Sequence, residues 1–144
     1  MKIAARTLIF MLLSTLALAA CNPIKNIQSR ERITELRAVV NTYRKLMRWG
    51  HYDQAAQYLK KKDGSQATSN FENMARYRVT SLTIADQITS DEELEAKVTA
   101  YIEFYDIDTG RALSLRDEQL WWYSVDDKRW FLDSPMVNFS DYVN

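Results

Sequence analysis

From Leu94 to Tyr105 apolar and polar residues alternate without a break: Leu94, Ala96, Val98, Ala100, Ile102 and Phe104 are interleaved with Glu95, Lys97, Thr99, Tyr101, Glu103 and Tyr105. A period of two puts one set on a buried face and the other in water, so the segment is predicted to be a strand of an antiparallel sheet. A strand over Tyr77 to Thr89 precedes it, with Leu82, Ile84 and Ile88 in phase. Asp106-Ile107-Asp108-Thr109-Gly110 supplies turn chemistry, and a third strand follows from about Arg111 to Val125. Its alternation slips between Arg116 and Gln119, which predicts a β-bulge there. Asp126-Asp127-Lys128 makes a second tight connection into a strand over Arg129 to Leu132, and Ser134-Pro135 is expected to stop the ladder.

Before Tyr77 the period is helical. Ile33, Leu36, Val40, Tyr43 and Met47 recur at spacings of three and four, predicting a helix from Arg30 to Trp49 that closes at Gly50. Arg30, Arg37, Arg44 and Arg48 fall in one stripe beside the apolar face. That stripe is either a solvated flank pairing with carboxylates of the sheet or an anion-binding surface. His51 to Leu59 forms a second, short amphipathic unit with Tyr52, Ala55, Ala56 and Leu59 on one side. Ser69-Asn70-Phe71-Glu72 fits a capping box, so a third helical piece is expected from Ser69, with Phe71, Met74 and Ala75 facing inward. Helices followed by strands define an α+β domain: N-terminal helices packed on a curved antiparallel β-meander.

The first twenty residues belong to a different logic. Lys2 and Arg6 precede an apolar run from Thr7 to Leu18 that is too short to span a bilayer. Leu18-Ala19-Ala20-Cys21 then resembles the lipobox of bacterial lipoproteins, with cleavage between Ala20 and Cys21 and acylation (palmitate or a related chain) of the Cys21 thiol. The resemblance implies a signal peptide over 1–20, a lipidated cysteine and short tether over 21–29, and one domain over 30–144. Asn22 rather than Asp after the cysteine implies the outer membrane, on its periplasmic face. Cys21 is the single cysteine, so no disulfide forms within a monomer and the core alone must stabilise the domain. Without the signal peptide the chain holds 17 basic and 19 acidic residues, unevenly placed: 12 and 5 from Asn22 to Arg78, 5 and 14 from Val79 onward. The basic half suits an anionic lipid or polyanionic partner; mutual neutralisation within the fold is the alternative.

Two stretches carry a further resemblance: Val40-Asn41-Thr42-Tyr43 through Gly50-His51-Tyr52-Asp53-Gln54-Ala55-Ala56, and Trp121-Trp122-Tyr123-Ser124-Val125-Asp126-Asp127-Lys128-Arg129-Trp130-Phe131-Leu132. With the order of elements, they are similar to the nuclear transport factor 2-like superfamily, which includes ketosteroid isomerase and the SnoaL-like cyclases. The resemblance implies a conical cavity between helices and a bent sheet, used by some members as an active site, and homodimers formed through the open sheet face. Neither stretch is a catalytic motif, and a fold hosts many functions.

An isomerase-like site needs a carboxylate base and an acidic donor in one dry pocket. Asp86, in phase with Ile84 and Ile88, and Tyr43, on the apolar face of the first helix, are the candidate pocket residues. His51 is the single histidine and follows a helix end, so a structural role is expected, and with no thiolate but the acylated Cys21 no metal or other cofactor is expected. Only three glycines exist and none sits in a phosphate-cradling motif. Nucleic acid is excluded by compartment. Consecutive Trp121 and Trp122 must point to opposite faces, one into the core and one outward, packing against Tyr101, Tyr105 or Trp130. Arg37, Arg44, Arg48, Trp121 and Trp122 are therefore the candidate interaction residues. The expected function is a non-catalytic, lipid-anchored binding domain of the envelope that takes a protein partner or hydrophobic ligand; the alternative is a small-molecule carrier or isomerase-like enzyme.

Overall fold

The computed structural model describes residues 22–65, 67 and 74–143, with backbone alone for 22–26. The expected signal peptide over 1–20, with Ala20 and Cys21 at its cleavage point, and the expected capping box at Ser69 lie outside these residues. The chain divides into two units, Met1–Glu31 and Arg32–Asn144; all packing described below is within the second.

Helix α1 covers Asn22–Trp49. The stretch expected as a tether is therefore its first two turns. Weak periodicity hid it, and Pro23 does not oppose it, because the ladder needs no N–H from the first turn. Leu36, Val40, Tyr43 and Met47 are all buried, forming the inner stripe that the spacing predicted. The helix ends in a Schellman motif: Gly50, at φ +75°, donates to the Met47 carbonyl at 3.3 Å and His51 to the Leu46 carbonyl at 2.8 Å. Helix α2 (Tyr52–Ala55) and a 3-10 turn over Ala56–Tyr58 follow. Leu59 then bridges in parallel to Leu132. Of the expected third helix, a 3-10 turn over Met74–Arg76 is described; Met74 is buried, but Ala75 faces solvent.

Strands β1 (Tyr77–Thr89), β2 (Glu95–Asp106), β3 (Ala112–Ser124) and β4 (Arg129–Leu132) form an antiparallel sheet in sequential order. The fold is thus α+β, with the long helix packed on a four-stranded meander. On β2 the residues Ala96, Val98, Ala100, Ile102 and Phe104 are buried, and the interleaved residues are exposed except Thr99. The bulge expected in β3 is absent: its register against β2 runs unbroken from Ala112 to Trp122. The two shifts lie in β1, between Val79 and Ser81 and between Ile84 and Asp86. The pattern had seemed to slip because Asp117 and Gln119, both polar, occupy inward positions in phase with Leu115 and Trp121.

Beyond Pro135 the chain still builds core. Met136, Val137 and Phe139 are buried, and the Phe139 ring lies 4.7 Å from Phe104 and 5.8 Å from Tyr77. The β2–β3 turn is organised by the fully buried Asp106. Its carboxylate accepts from Arg76 Nη2 at 2.6 Å and Nε at 3.1 Å, and from the backbone N–H of Asp108 at 2.9 Å and Thr109 at 3.4 Å. The Arg76 hydrogen bonds, then those backbone donors, hold this carboxyl at about 2, below the usual aspartate range.

Candidate functional site

Tyr43 and Asp86 do not meet. Tyr43 is buried, but the shift after Ile84 turns Asp86 outward, where it is exposed and accepts the Gln87 N–H at 2.9 Å. The same shift puts Ile88 in solvent. One extra residue in a strand exchanges its faces from that point on.

The carboxylate whose charge acts on Tyr43 is Asp117. It is half-buried on the inner face of β3 and accepts from Gln119 Nε2 at 2.7 Å; Gln119 Oε1 in turn accepts from Trp121 Nε1 at 3.1 Å. Three alternate residues of one strand thus form a hydrogen-bonded line along the core face. Tyr43 meets the Trp121 ring edge-on at 5.5 Å and the Tyr58 ring at 6.3 Å. Burial, and then the Asp117 charge, raise the Tyr43 hydroxyl far above its ordinary range, so it stays protonated. Burial also raises the Asp117 carboxyl, opposed by the Gln119 hydrogen bond. Sequence reading missed Asp117 and Gln119. Their signal in the sequence is two polar residues in phase with Leu113, Leu115, Trp121 and Tyr123, a pattern that alternation alone does not distinguish from a bulge.

Trp121 and Trp122 separate as strand geometry requires. Trp121 is buried, opposite Ala96 and Leu132; Trp122 is half-buried on the outer face, opposite Glu95 and Phe131. Neither packs on Tyr101 or Tyr105, which oppose Arg116 and Ala112, and Trp130 instead meets Tyr123 at 5.5 Å. The Trp122 indole N–H donates to the Lys60 carbonyl at 2.7 Å, and its ring lies 5.6 Å from Phe131. The Lys60 ammonium stands 4.7 Å from the Phe131 ring centre, with the Arg129 guanidinium also at 4.7 Å.

Two grooves open beside this cluster. One of about 920 Å³ runs past Lys60, Lys62 and Trp122 to Glu92, Asp126 and Asp127, at the turns between β1 and β2 and between β3 and β4. The other, of about 420 Å³, lies on the outer sheet face among Ile88, Lys97, Leu120 and Trp122. Ile88 is 60% exposed and Leu120 48%, so apolar surface here is open to water. Lys97 and Arg116 both pair with Glu118, at 2.7 and 2.8 Å, and the Lys97 hydrogen bond lowers the Glu118 carboxyl. Neither groove is lined by Tyr43 or Asp117.

Two arginines of the stripe find amide and backbone oxygens as partners. Arg44 donates to Asn41 Oδ1 at 2.8 Å and to the Leu82 carbonyl at 3.4 Å, and Arg48 donates to the Val79 carbonyl; Arg37 is exposed. Two of the stripe's arginines thereby cap carbonyls on the free edge of β1, which blunts that edge against strand pairing. His51 is exposed just after the helix end. Among the described residues no three His, Cys, Asp or Glu side chains converge as a metal site, and no helix is long and apolar enough to cross a membrane. Compared with protein-family models, curated proteins and solved structures, the chain matches none.

Proposed function

We propose that this chain is a lipid-anchored, non-catalytic domain of the bacterial outer membrane, facing the periplasm, that holds an envelope protein partner on the outer face of its sheet. The observation that carries the reading is the open apolar groove bounded by Ile88, Leu120 and Trp122. Exposed apolar side chains beside an anchoring aromatic, with charged residues around them, are the composition of a protein interface. The interior supports the same reading: Tyr43, Met47, Trp121, Phe104 and Phe139 fill the space between helix and sheet. A photo-crosslinking residue in place of Leu120 in the intact protein is expected to give a discrete protein adduct in cells, and the same residue at exposed Thr42 on α1 none. Equal labelling from both positions, or none from 120, would remove the assignment of this face.

The Asp117 carboxylate, raised by burial on the inner face of β3, where its charge acts on a protonated Tyr43, favours a second reading, in which the nuclear transport factor 2-like cone opens to carry a small hydrophobic molecule with a polar group. The acid here would be Asp117 rather than Asp86. Because folding favours its neutral form, ionised Asp117 subtracts stability above its folded pKa and nothing below the unfolded value of about 3.9. Asp117→Asn should therefore gain stability over the parent as pH rises from about 4 to 7, measured by urea unfolding at both. A loss at neutral pH instead would mean that the ionised carboxylate is itself required by the fold.

A further inference from the structure

We infer that the exposed flank of α1 around Arg37, Lys45 and Trp49 is a contact surface for anionic phospholipid, which lays this side of the domain on the membrane to which the chain is anchored. A groove of about 280 Å³ separates α1 from the free edge of β1; Arg44, Lys45, Arg48 and Trp49 form one wall, and residues Thr80 to Thr83 the other. None of its lining residues is acidic; the Thr80 hydroxyl donates to the Glu103 carbonyl at 3.1 Å, and Ser81 and Thr83 add two more hydroxyls, so the lining offers cations and hydroxyl groups to a phosphate. Arg37 extends the same stripe two turns earlier. The carbonyl bonds of Arg44 and Arg48 hold these cations along the strand edge without neutralising them.

Trp49 is the second independent feature. The residue is 68% exposed, with the Arg48 guanidinium 5.6 Å from its ring centre. An indole beside several cations is the pairing that suits a headgroup layer, where the ring sits at the interface and each Lys or Arg near an anionic surface contributes roughly a fivefold gain in association. The inference rests on the Cys21 anchor of the proposed function. Arg37 is sixteen residues from Cys21, so even at a maximum of about 3.5 Å per residue it stands no farther than roughly 56 Å from the lipid anchor. Anchoring then makes the encounter intramolecular, and a weak surface suffices. A soluble acidic polypeptide has no such advantage.

The test uses the intact lipidated protein on phosphatidylcholine vesicles with brominated acyl chains, with and without phosphatidylglycerol. The fluorescence due to Trp49, taken as the difference between wild type and Trp49→Phe, should be quenched when phosphatidylglycerol is present. Arg37→Glu with Lys45→Glu, both at exposed positions, should relieve that quenching, as should high salt, by roughly fivefold or more in association per charge altered. A Trp49 signal equally bright with and without bromine overturns the inference, as does quenching that ignores both charge reversal and salt. A protein adduct from a photo-crosslinker at position 45, with Trp49 unquenched, overturns it in favour of an acidic polypeptide. Sedimentation with pure phosphatidylcholine vesicles reads the Cys21 anchor separately, so loss of the protein from those vesicles counts against the anchor, and unquenched Trp49 on retained protein counts against this surface.

Discussion

Trp121→Ala should cost about 3–5 kcal/mol of unfolding free energy, whereas Trp122→Ala, one residue along, should cost about 1–2 kcal/mol. The two indoles belong to the same residue type and the same strand, so the difference is one of face. Trp121 is buried against Tyr43 and Tyr58 and donates to Gln119; its removal leaves a cavity among rigid rings and an unpaired amide oxygen. Trp122 is half-buried, and what it loses is one hydrogen bond to the Lys60 carbonyl and one ring contact with Phe131. Urea unfolding of both variants checks this, and equal losses would contradict the placement of the outer groove. In the proposed function the order reverses: Trp122→Ala is the variant that should weaken partner capture while the protein stays folded.

Asp106→Asn should give the largest pH-dependent loss. In the native protein the carboxyl is held at about 2, first by Arg76 and then by the Asp108 and Thr109 N–H groups, while an unfolded aspartate titrates near about 3.9. A depressed native pKa means that the folded state favours the charged form. Its stabilisation is whole above roughly pH 4 and fades as pH falls towards about 2. The asparagine variant lacks the charge at every pH. Its thermal midpoint should lie several degrees below wild type near neutrality, and the gap should close as the solution approaches pH 2. A gap that stays constant across that range would show that the turn depends on shape and neutral hydrogen bonds, not on the Arg76 ion pair.

The charge asymmetry noticed in the sequence has a physical use under the two proposals. Arg44, Lys45 and Arg48 of α1 lie along a groove with the free edge of β1, whereas Glu92, Glu95, Asp126 and Asp127 gather at a groove beside Trp122. In that second groove Lys60 and Lys62 pair with Asp127 and Glu95, so acid and base are partly matched there; in the first, no carboxylate is present. Neutralisation within the fold therefore accounts for part of the asymmetry and leaves the α1 flank unmatched.

Periodicity by itself determined the inner stripe of α1, the bounds of the strands, the glycine stop after Trp49 and the opposite faces of Trp121 and Trp122. These follow from local geometry, because 3.6 and two are properties of single elements and a glycine at positive φ needs only its own turn. The fold class follows from their order. What needed the tertiary structure is whatever depends on register or on distant residues. Alternation cannot say which strand carries an extra residue: the sequence pattern points to β3, but β1 carries the shifts, and so Asp86 faces water while Asp117 stays on the inner face, where its charge acts on Tyr43. Nor does hydrophobicity report that Phe139, past a proline, closes the core against Phe104, or that Arg44 and Arg48 find their partners in backbone carbonyls, which every sequence has and no sequence marks.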